Sequence, residues 1–365
     1  MRATPLLDLH RELGASIGEF AGVRTAMDFG NPINEHVVTR TKAAIFDISH
    51  MARILISGKD SWRLIDIAVP RDLAKARIGF MFGPTAFLNE RGGFKDDVML
   101  YPLSENEWFV VGNAVNRDKD REWLRELTQK YRLNITVSDL TVDTAMVAIQ
   151  GPEAVRTAQE LGIEVKDLEW MTFRRNVNTP FGKVMILSRS GWTGEDGIEI
   201  VAEPGVAERI FRSFVEKGVQ PAGLIARDTL RIEMGFRLYG AEIDESINPI
   251  EARYWVFTFG KKGCVGCDAL QRLLSEGCDK QLVGLRLKKG VRFIPRHGYA
   301  ITTYDGSREI GYVTSGAYSP VLQRSIALGY VSSRYAVMGL RVGIRIRAKV
   351  YTARIVDFPF IEKGR

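Results

Sequence analysis

Ser188-Arg189-Ser190-Gly191-Trp192-Thr193-Gly194-Glu195-Asp196-Gly197 gathers three glycines, an indole ring and two adjacent acids in ten residues. Glycine lets a backbone approach a flat ligand closely and takes positive φ without strain. The ring offers a face for stacking, and the acids offer hydrogen-bond acceptors. Such a loop suits a nitrogen heterocycle. It equally suits a glycine-rich hairpin with an exposed tryptophan, and the segment alone leaves both readings open. Apolar runs on either side, Val184-Met185-Ile186-Leu187 and Ile198-Glu199-Ile200-Val201, place it between two strands.

Other elements must hold this loop. Asp60 to Val69 has the pattern of a short amphipathic helix with Asp60 as its cap. Asp118 to Arg132 reads as a helix with Trp123, Leu124, Leu127 and Tyr131 on one face. Val206 to Lys217 reads as another, striped by Ile210, Phe211, Phe214 and Val215 and ended by Gly218. Residues 78 to 112 are strand-rich, with a hairpin turn at Asn89-Glu90-Arg91-Gly92-Gly93. From Gln281 onward short β-type runs alternate with glycine turns, as in a small barrel or sandwich. The pattern is α+β first and mainly β last.

A length of 365 residues implies two or three domains. No apolar run approaches the roughly 18 residues of a spanning helix, and Met1 to Pro5 lacks the apolar segment of a signal peptide. These features predict a cytoplasmic protein with no membrane partner. Cys264, Cys267 and Cys278 are too few, and odd in number, for a disulfide framework. Cys264-Val265-Gly266-Cys267 has metal-ligand spacing, but a closed zinc site needs four ligands and no histidine lies nearby, so the expectation is no metal and thiols that pack or face solvent. Net charge is +7, yet the basic residues are dispersed and no nucleic-acid motif is present. The densest patch, Arg341 to Val350, alternates as a strand with Val342, Ile344, Ile346, Ala348 and Val350 inward. Its basic face is either solvated surface or a dock for an acidic partner.

SRSGWTGEDGIEI resembles the SRTGYTGEDGFEI-type signature of the aminomethyltransferase (glycine cleavage T-protein) family of folate-dependent enzymes. The resemblance continues in order along the chain: TPLLDLHRELGA (4–15), AIFDISHM (44–51), LNERGGFKDDV (88–98), GNAVNRDKD (112–120), AIQGP (148–152), ARDTLRIEMGFRLYGAEID (226–244), NPIEA (248–252) and IGYVTSGAYSP (310–320). It implies an α+β, three-lobed cloverleaf with a central folate channel and a β-rich C-terminal barrel or sandwich. The first lobe would comprise residues 1–53 plus 137–245, the second 54–136 and the third 246–365. It implies tetrahydrofolate as co-substrate and, as partner, a lipoyl carrier protein of the H-protein type. That carrier would present an aminomethyl group for conversion to 5,10-methylenetetrahydrofolate and ammonia.

Carried over motif by motif, the resemblance puts Asp96, the first acid of Lys95-Asp96-Asp97, beside the folate N5 as the catalytic carboxylate. Glu195 and Arg227 line the folate site. Trp192 supplies a stacking face, Tyr101 a wall, and Asp97 caps or solvates the turn or adds a contact; Tyr239 is a second candidate wall. Departures touch the mouth of the site. Pro84 stands where the family has tyrosine, Trp192 replaces a tyrosine, Val23 a tryptophan, and Arg253-Tyr254-Trp255 replaces small residues. Two other readings share the scaffold: a tetrahydrofolate-dependent demethylase or methyltransferase, for which Pro70-Arg71-Asp72-Leu73 is a short signal, and a non-enzymatic folate-binding iron–sulfur maintenance protein, for which Lys262-Gly263-Cys264 is a partial motif.

Overall fold

The computed structural model describes residues 2–291 and 293–362, which divide into two compact units. The first comprises Met1–Phe87, Lys95–Arg227 and Val256–Val265; the second comprises Leu88–Phe94, Asp228–Trp255 and Gly266–Arg365. The α+β reading with a β-rich end holds, and the C-terminal part is a closed six-stranded barrel.

Of the three sheets in the first unit, the smallest pairs Arg2–Ala3, Val23–Asp28 and Ser16–Phe20, and two larger ones carry the core. One is six-stranded, in the order Phe173–Thr179, Gly182–Ser188, Gly197–Ala202, Ala145–Gln150, Ala44–Asp47 and Gln220–Ala222, antiparallel except for the last pair. Its central strands are buried on both faces, so they read as nearly continuous apolar runs rather than alternating ones. Pro204–Glu216 covers one face with Val206, Ile210, Phe211 and Phe214, joining one core with Val147, Ile149, Ile198 and Ile200. Gly218 ends the chain of helical bonds at φ 92°, as its position after the apolar stripe predicts.

The other sheet runs Phe82–Leu88, Phe94–Ser104, Glu107–Gly112, Ala52–Ser57 and Thr136–Asp139. The helices Ser61–Ala68 and Arg117–Lys130 pack on it through Leu64, Ile65, Trp123, Leu124 and Leu127. Asp60 occupies the N-cap position of the first but makes no side-chain cap bond; it accepts instead from the Asn134 N–H at 2.7 Å. The turn at 89–93 forms, with Asn89 Oδ1 receiving the N–H groups of Arg91 and Gly93, both at 3.0 Å.

In the second unit the barrel closes in the order Lys280–Leu287, Arg324–Ser332, Glu309–Ser319, Ala300–Thr303, Arg341–Ile346 and Lys349–Val356. The basic stretch departs from the single strand expected. Val342, Ile344 and Ile346 do face the core, but the chain turns at Arg347, φ 55°, leaving Ala348 exposed in the turn and Val350 exposed on the returning strand. A hairpin reversal shifts the alternation, which periodicity alone does not register. Asp228–Trp255 belongs to the same unit as the barrel and holds within itself a buried pair, Arg231 Nη1 to Glu242 Oε2 at 2.7 Å, that is bonded to barrel residues. Thr314 donates to Glu242 Oε1 at 2.6 Å, the Arg231 Nη2 group donates to Ser315 at 2.8 Å, and Tyr330 donates to the Glu242 carbonyl at 2.7 Å.

The cysteines also differ from expectation: Cys264 and Cys267 are disulfide-bonded and Cys278 is free. Among the described residues no cluster of three or more His, Cys, Asp or Glu could hold a metal, and no helix is long and apolar enough to cross a membrane.

Candidate functional site

The glycine loop connects Gly182–Ser188 to Gly197–Ala202, as its flanking runs predict. Its shape is set by Gln150, the glutamine of the AIQGP block. The Gln150 amide donates to the Ser190 carbonyl at 2.9 Å and its Oε1 receives the Thr193 hydroxyl at 2.9 Å. A Cβ on Gly191 would lie 1.8 Å from Gln150 Oε1, so a side chain there must push the Gln150 amide from its two bonds. Of the two acids, Asp196 is held by the Arg189 fork at 3.0 and 2.7 Å. Glu195 is buried and receives Arg40 Nη1 at 2.9 Å, while the same nitrogen donates to the Thr193 carbonyl at 2.6 Å. Any ligand at Glu195 therefore meets a carboxylate already paired with a guanidinium.

Trp192 and Arg227 come together: the guanidinium sits over the indole ring, 5.2 Å from its centroid. Arg227 is 6% exposed, and its Nη1 has no hydrogen-bond partner among the described residues. Burial holds the guanidinium below its ordinary value, against the attraction of Glu199. A buried N–H donor left unpaired costs about 1–3 kcal/mol and more on a charged group, so this one marks a place for an acceptor. Glu199 receives the Ser190 hydroxyl at 2.6 Å, and burial raises its carboxyl above the usual range although Ser190 and Arg227 pull the other way. His50, whose Nδ1 is also unpaired, has its pKa lowered to about 3 by burial and then by the positive Arg227.

The strand Phe94–Ser104 decides which acid of the Asp96-Asp97 pair can reach a ligand. Side chains alternate across a strand. Asp96 points with Val98 and Leu100 into the core; Asp97 shares the opposite face with Met99 and Tyr101. Tyr101 on that face bonds Ser188 and Ser190, beside Glu199. Asp96 is wholly enclosed (0% exposed): its Oδ1 receives the amides of Asn113 at 2.8 Å and Asn116 at 2.5 Å, and its Oδ2 receives the Asn113 backbone N–H at 2.9 Å. Asp97 is half-buried and receives the same Asn113 amide nitrogen at 2.7 Å.

Placing Asp96 in direct contact with a reacting nitrogen is thus at odds with its enclosure, and Asp97 is the member of the pair with an exposed edge. Tyr101, 1% exposed, braces the strand from inside rather than presenting an open wall, and burial raises its hydroxyl far above the usual range. Glu195, Trp192 and Arg227 lie in one region of the unit, whereas Tyr239 belongs to the other unit. Reading the sequence missed Arg40, Glu199, Asn113, Asn116 and Asp120. A signal existed for Glu199, a lone acid inside the apolar run Ile198–Val201, and for the asparagines and Asp120, which crowd the GNAVNRDKD block.

Pro84 is exposed on Phe82–Leu88, the strand that neighbours Phe94–Ser104, and the Met99 sulfur lies 2.6 Å from where a Cβ on Gly83 would be. The tyrosine-to-proline departure therefore falls at an exposed position of the strand next to the one that carries Asp97. Two other conspicuous blocks serve the frame. Asp47 of AIFDISHM receives His10 Nε2 at 2.7 Å and the Thr4 hydroxyl, both from the TPLLDLHRELGA block.

An α+β unit in which a glycine loop and the helix Leu224–Glu233 bring an indole and a buried guanidinium together, followed by a closed barrel, fits the class of group-transfer enzymes. Residues 6–262 match the GCVT N-terminal domain, and residues 280–362 match the glycine cleavage T-protein C-terminal barrel domain. The chain is 43% identical to a probable aminomethyltransferase of Aeropyrum pernix over 98% of its own length and 97% of that protein's. It is 38% identical to the aminomethyltransferase of Thermus thermophilus over 99% of both. The crystal structure of glycine cleavage system aminomethyltransferase T from Bartonella henselae superposes with a TM-score of 0.91 at 32% identity, covering 99% of this chain and 98% of that one. The chain belongs to the glycine cleavage T-protein family, the aminomethyltransferases.

Proposed function

We propose that this chain, an aminomethyltransferase of the glycine cleavage system, uses tetrahydrofolate as the acceptor at the site of Trp192, Arg227 and Asp97. The observation that carries this reading is the buried Arg227 guanidinium, unpaired at Nη1 and laid over Trp192. A ring to stack on and a charge awaiting an acceptor fit a flat heterocycle that bears polar edges and carboxylates. The donor is an aminomethyl group on the dihydrolipoyl arm of an H-protein-type carrier. Three lobes around a central folate channel, and a cytoplasmic location, belong to the same reading.

Two bonds form to the transferred carbon, from N5 and N10 of the folate, and two break. Cleavage at nitrogen releases ammonia; cleavage at sulfur returns the dihydrolipoyl thiol. The protons lost from N5 and N10 balance those gained by the two leaving groups. Asp97 orients N5 and stabilises the positive charge that develops there, a contribution of roughly 10²–10⁴-fold. Holding two large substrates together adds an entropic gain. Glu195, steadied by Arg40, accepts from the pterin edge.

Mass analysis of the folate product tests this, with purified protein, tetrahydrofolate and an aminomethylated lipoyl carrier. Methylenetetrahydrofolate with stoichiometric ammonia is expected. Tetrahydrofolate bound but unconverted would sink the carrier-linked reaction, and no binding at all would sink the site.

A further inference from the structure

Behind Asp97 lies a second carboxyl that the reaction as described does not use. Asp120, on the helix Arg117–Lys130, is 1% exposed, and among the described residues neither of its oxygens meets an N–H or O–H donor. Its neighbour is Asp96. The two groups converge on Gly112: a Cβ there would lie 2.8 Å from Asp96 Oδ2 and 3.2 Å from Asp120 Oδ2. Side-chain contact between them is a hydrogen bond only if one of them carries a proton. Asp96 already receives three N–H donors from Asn113 and Asn116, which favour its ionised form. Asp120 receives none, so the proton belongs on Asp120.

We propose that Asp120 is a positioning residue for the aminomethyl transfer, held as the neutral acid so that Asp96 and Asp120 share one proton and lock Asn113 against Asp97. The path is short: Asp120 donates to Asp96, Asp96 fixes Asn113 through its backbone and its amide, and that amide holds Asp97 Oδ1 at 2.7 Å. Two ionised carboxylates this close and this buried would repel in a low-dielectric interior. The charged groups that bear on Asp120 are Asp96 on one side and Lys119 and Lys95 on the other. Lys95 is also drawn toward the Trp123 ring, 5.9 Å from its centroid. Burial, followed by the Asp96 charge, holds Asp120 well above the ordinary carboxylate range. The dyad keeps its proton until an alkaline limit, where Asp96 and Asp120 push apart and Asp97 loses its clamp.

This inference rests on Asp97 as the reactive carboxylate, so its test includes a readout independent of turnover. Infrared difference spectra of the protein with ¹³C-labelled aspartate, recorded at neutral pH, are expected to show the carbonyl stretch of one protonated carboxylic acid. That band should be lost in Asp120→Asn. Asparagine keeps a donor toward Asp96, so Asp120→Asn should retain kcat near neutral pH and remove the alkaline fall of the wild-type profile. Asp120→Ala should lower kcat about ten-fold with little change in KM for tetrahydrofolate, as misplacement of a reacting group does. Absence of the protonated band would overturn the shared proton whatever the reaction proves to be. An alkaline limb unchanged in Asp120→Asn, with the band present, would reduce the pair to a structural feature.

Discussion

At the scale of single residues, parity along one strand separates two adjacent aspartates. Asp97→Asn is expected to lower kcat by about 10²–10⁴-fold while sparing tetrahydrofolate binding; full turnover in single-turnover assays would return the role to Asp96. Arg227 is expected to act in binding instead. Its Nη1 is buried and unpaired before ligand arrives, and a hydrogen bond to a charged group contributes about 1.5–3 kcal/mol. Arg227→Ala should weaken tetrahydrofolate by roughly ten- to a hundred-fold in calorimetric titration. Unchanged affinity would remove the guanidinium from the site. The motif resemblance at Lys95-Asp96-Asp97 assigned the catalytic role to Asp96; which of the two acids is enclosed was not legible, because face depends on register with Glu107–Gly112 rather than on local sequence.

Elements were largely legible. The helices expected at 60–69, 118–132 and 206–217 appear at Ser61–Ala68, Arg117–Lys130 and Pro204–Glu216, because long apolar stripes survive any packing arrangement. What tied them to one another was not legible. Gln150 sits next to Gly151-Pro152 in sequence, yet its work is to shape a loop some forty residues on. Gly191→Ala should therefore abolish folate binding, since its Cβ would displace the Gln150 side chain. Retained affinity in the same titration would show that the loop tolerates rearrangement. Arg231 and Glu242, 1% and 0% exposed, are in sequence only two of the charged residues of the ARDTLRIEMGFRLYGAEID block. Removing one partner, as in Glu242→Leu, leaves a buried charge and should cost about 3–5 kcal/mol in chemical denaturation. A loss below 1 kcal/mol would mean that Asp228 alone satisfies Arg231.

For the whole molecule, acid stability follows from His50. Its folded pKa of about 3 lies below the ordinary 6.5, so the unfolded chain binds the proton first. Stability from this group is complete above pH 6.5 and is lost as pH falls toward 3, by about 1.4 kcal/mol for each unit. The slope of unfolding free energy against pH should drop by one proton in that window in His50→Gln; an unchanged slope would exclude the neutral imidazole. The net charge of +7 bears on encounter rather than fold. Arg345 on the barrel surface is partly engaged, by Glu309 and the Gly306 carbonyl, while Arg341 and Arg347 are exposed. Replacing Arg341 and Arg347 by Gln should slow carrier association at low salt and converge with wild type at high salt. Equal rates at low salt would leave this strand as solvated surface.

The amino-acid sequence by itself determined the α+β body, the β-rich end, the glycine loop between two strands and, through ordered motifs, the family. These depend on periodicity and short-range spacing, which a chain carries wherever it folds. Only the tertiary structure decided that Asp96 is enclosed while Asp97 is reachable, that Glu195 arrives paired with Arg40, and that Asp120 meets Asp96 across Gly112. It also decided that Cys264 and Cys267 are disulfide-bonded rather than simply packed thiols. Partners such as Arg40 and Glu195 lie far apart in the chain, and a carboxyl's charge depends on burial and on the donors that surround it. Both are properties of packing, to which spacing along the sequence is blind.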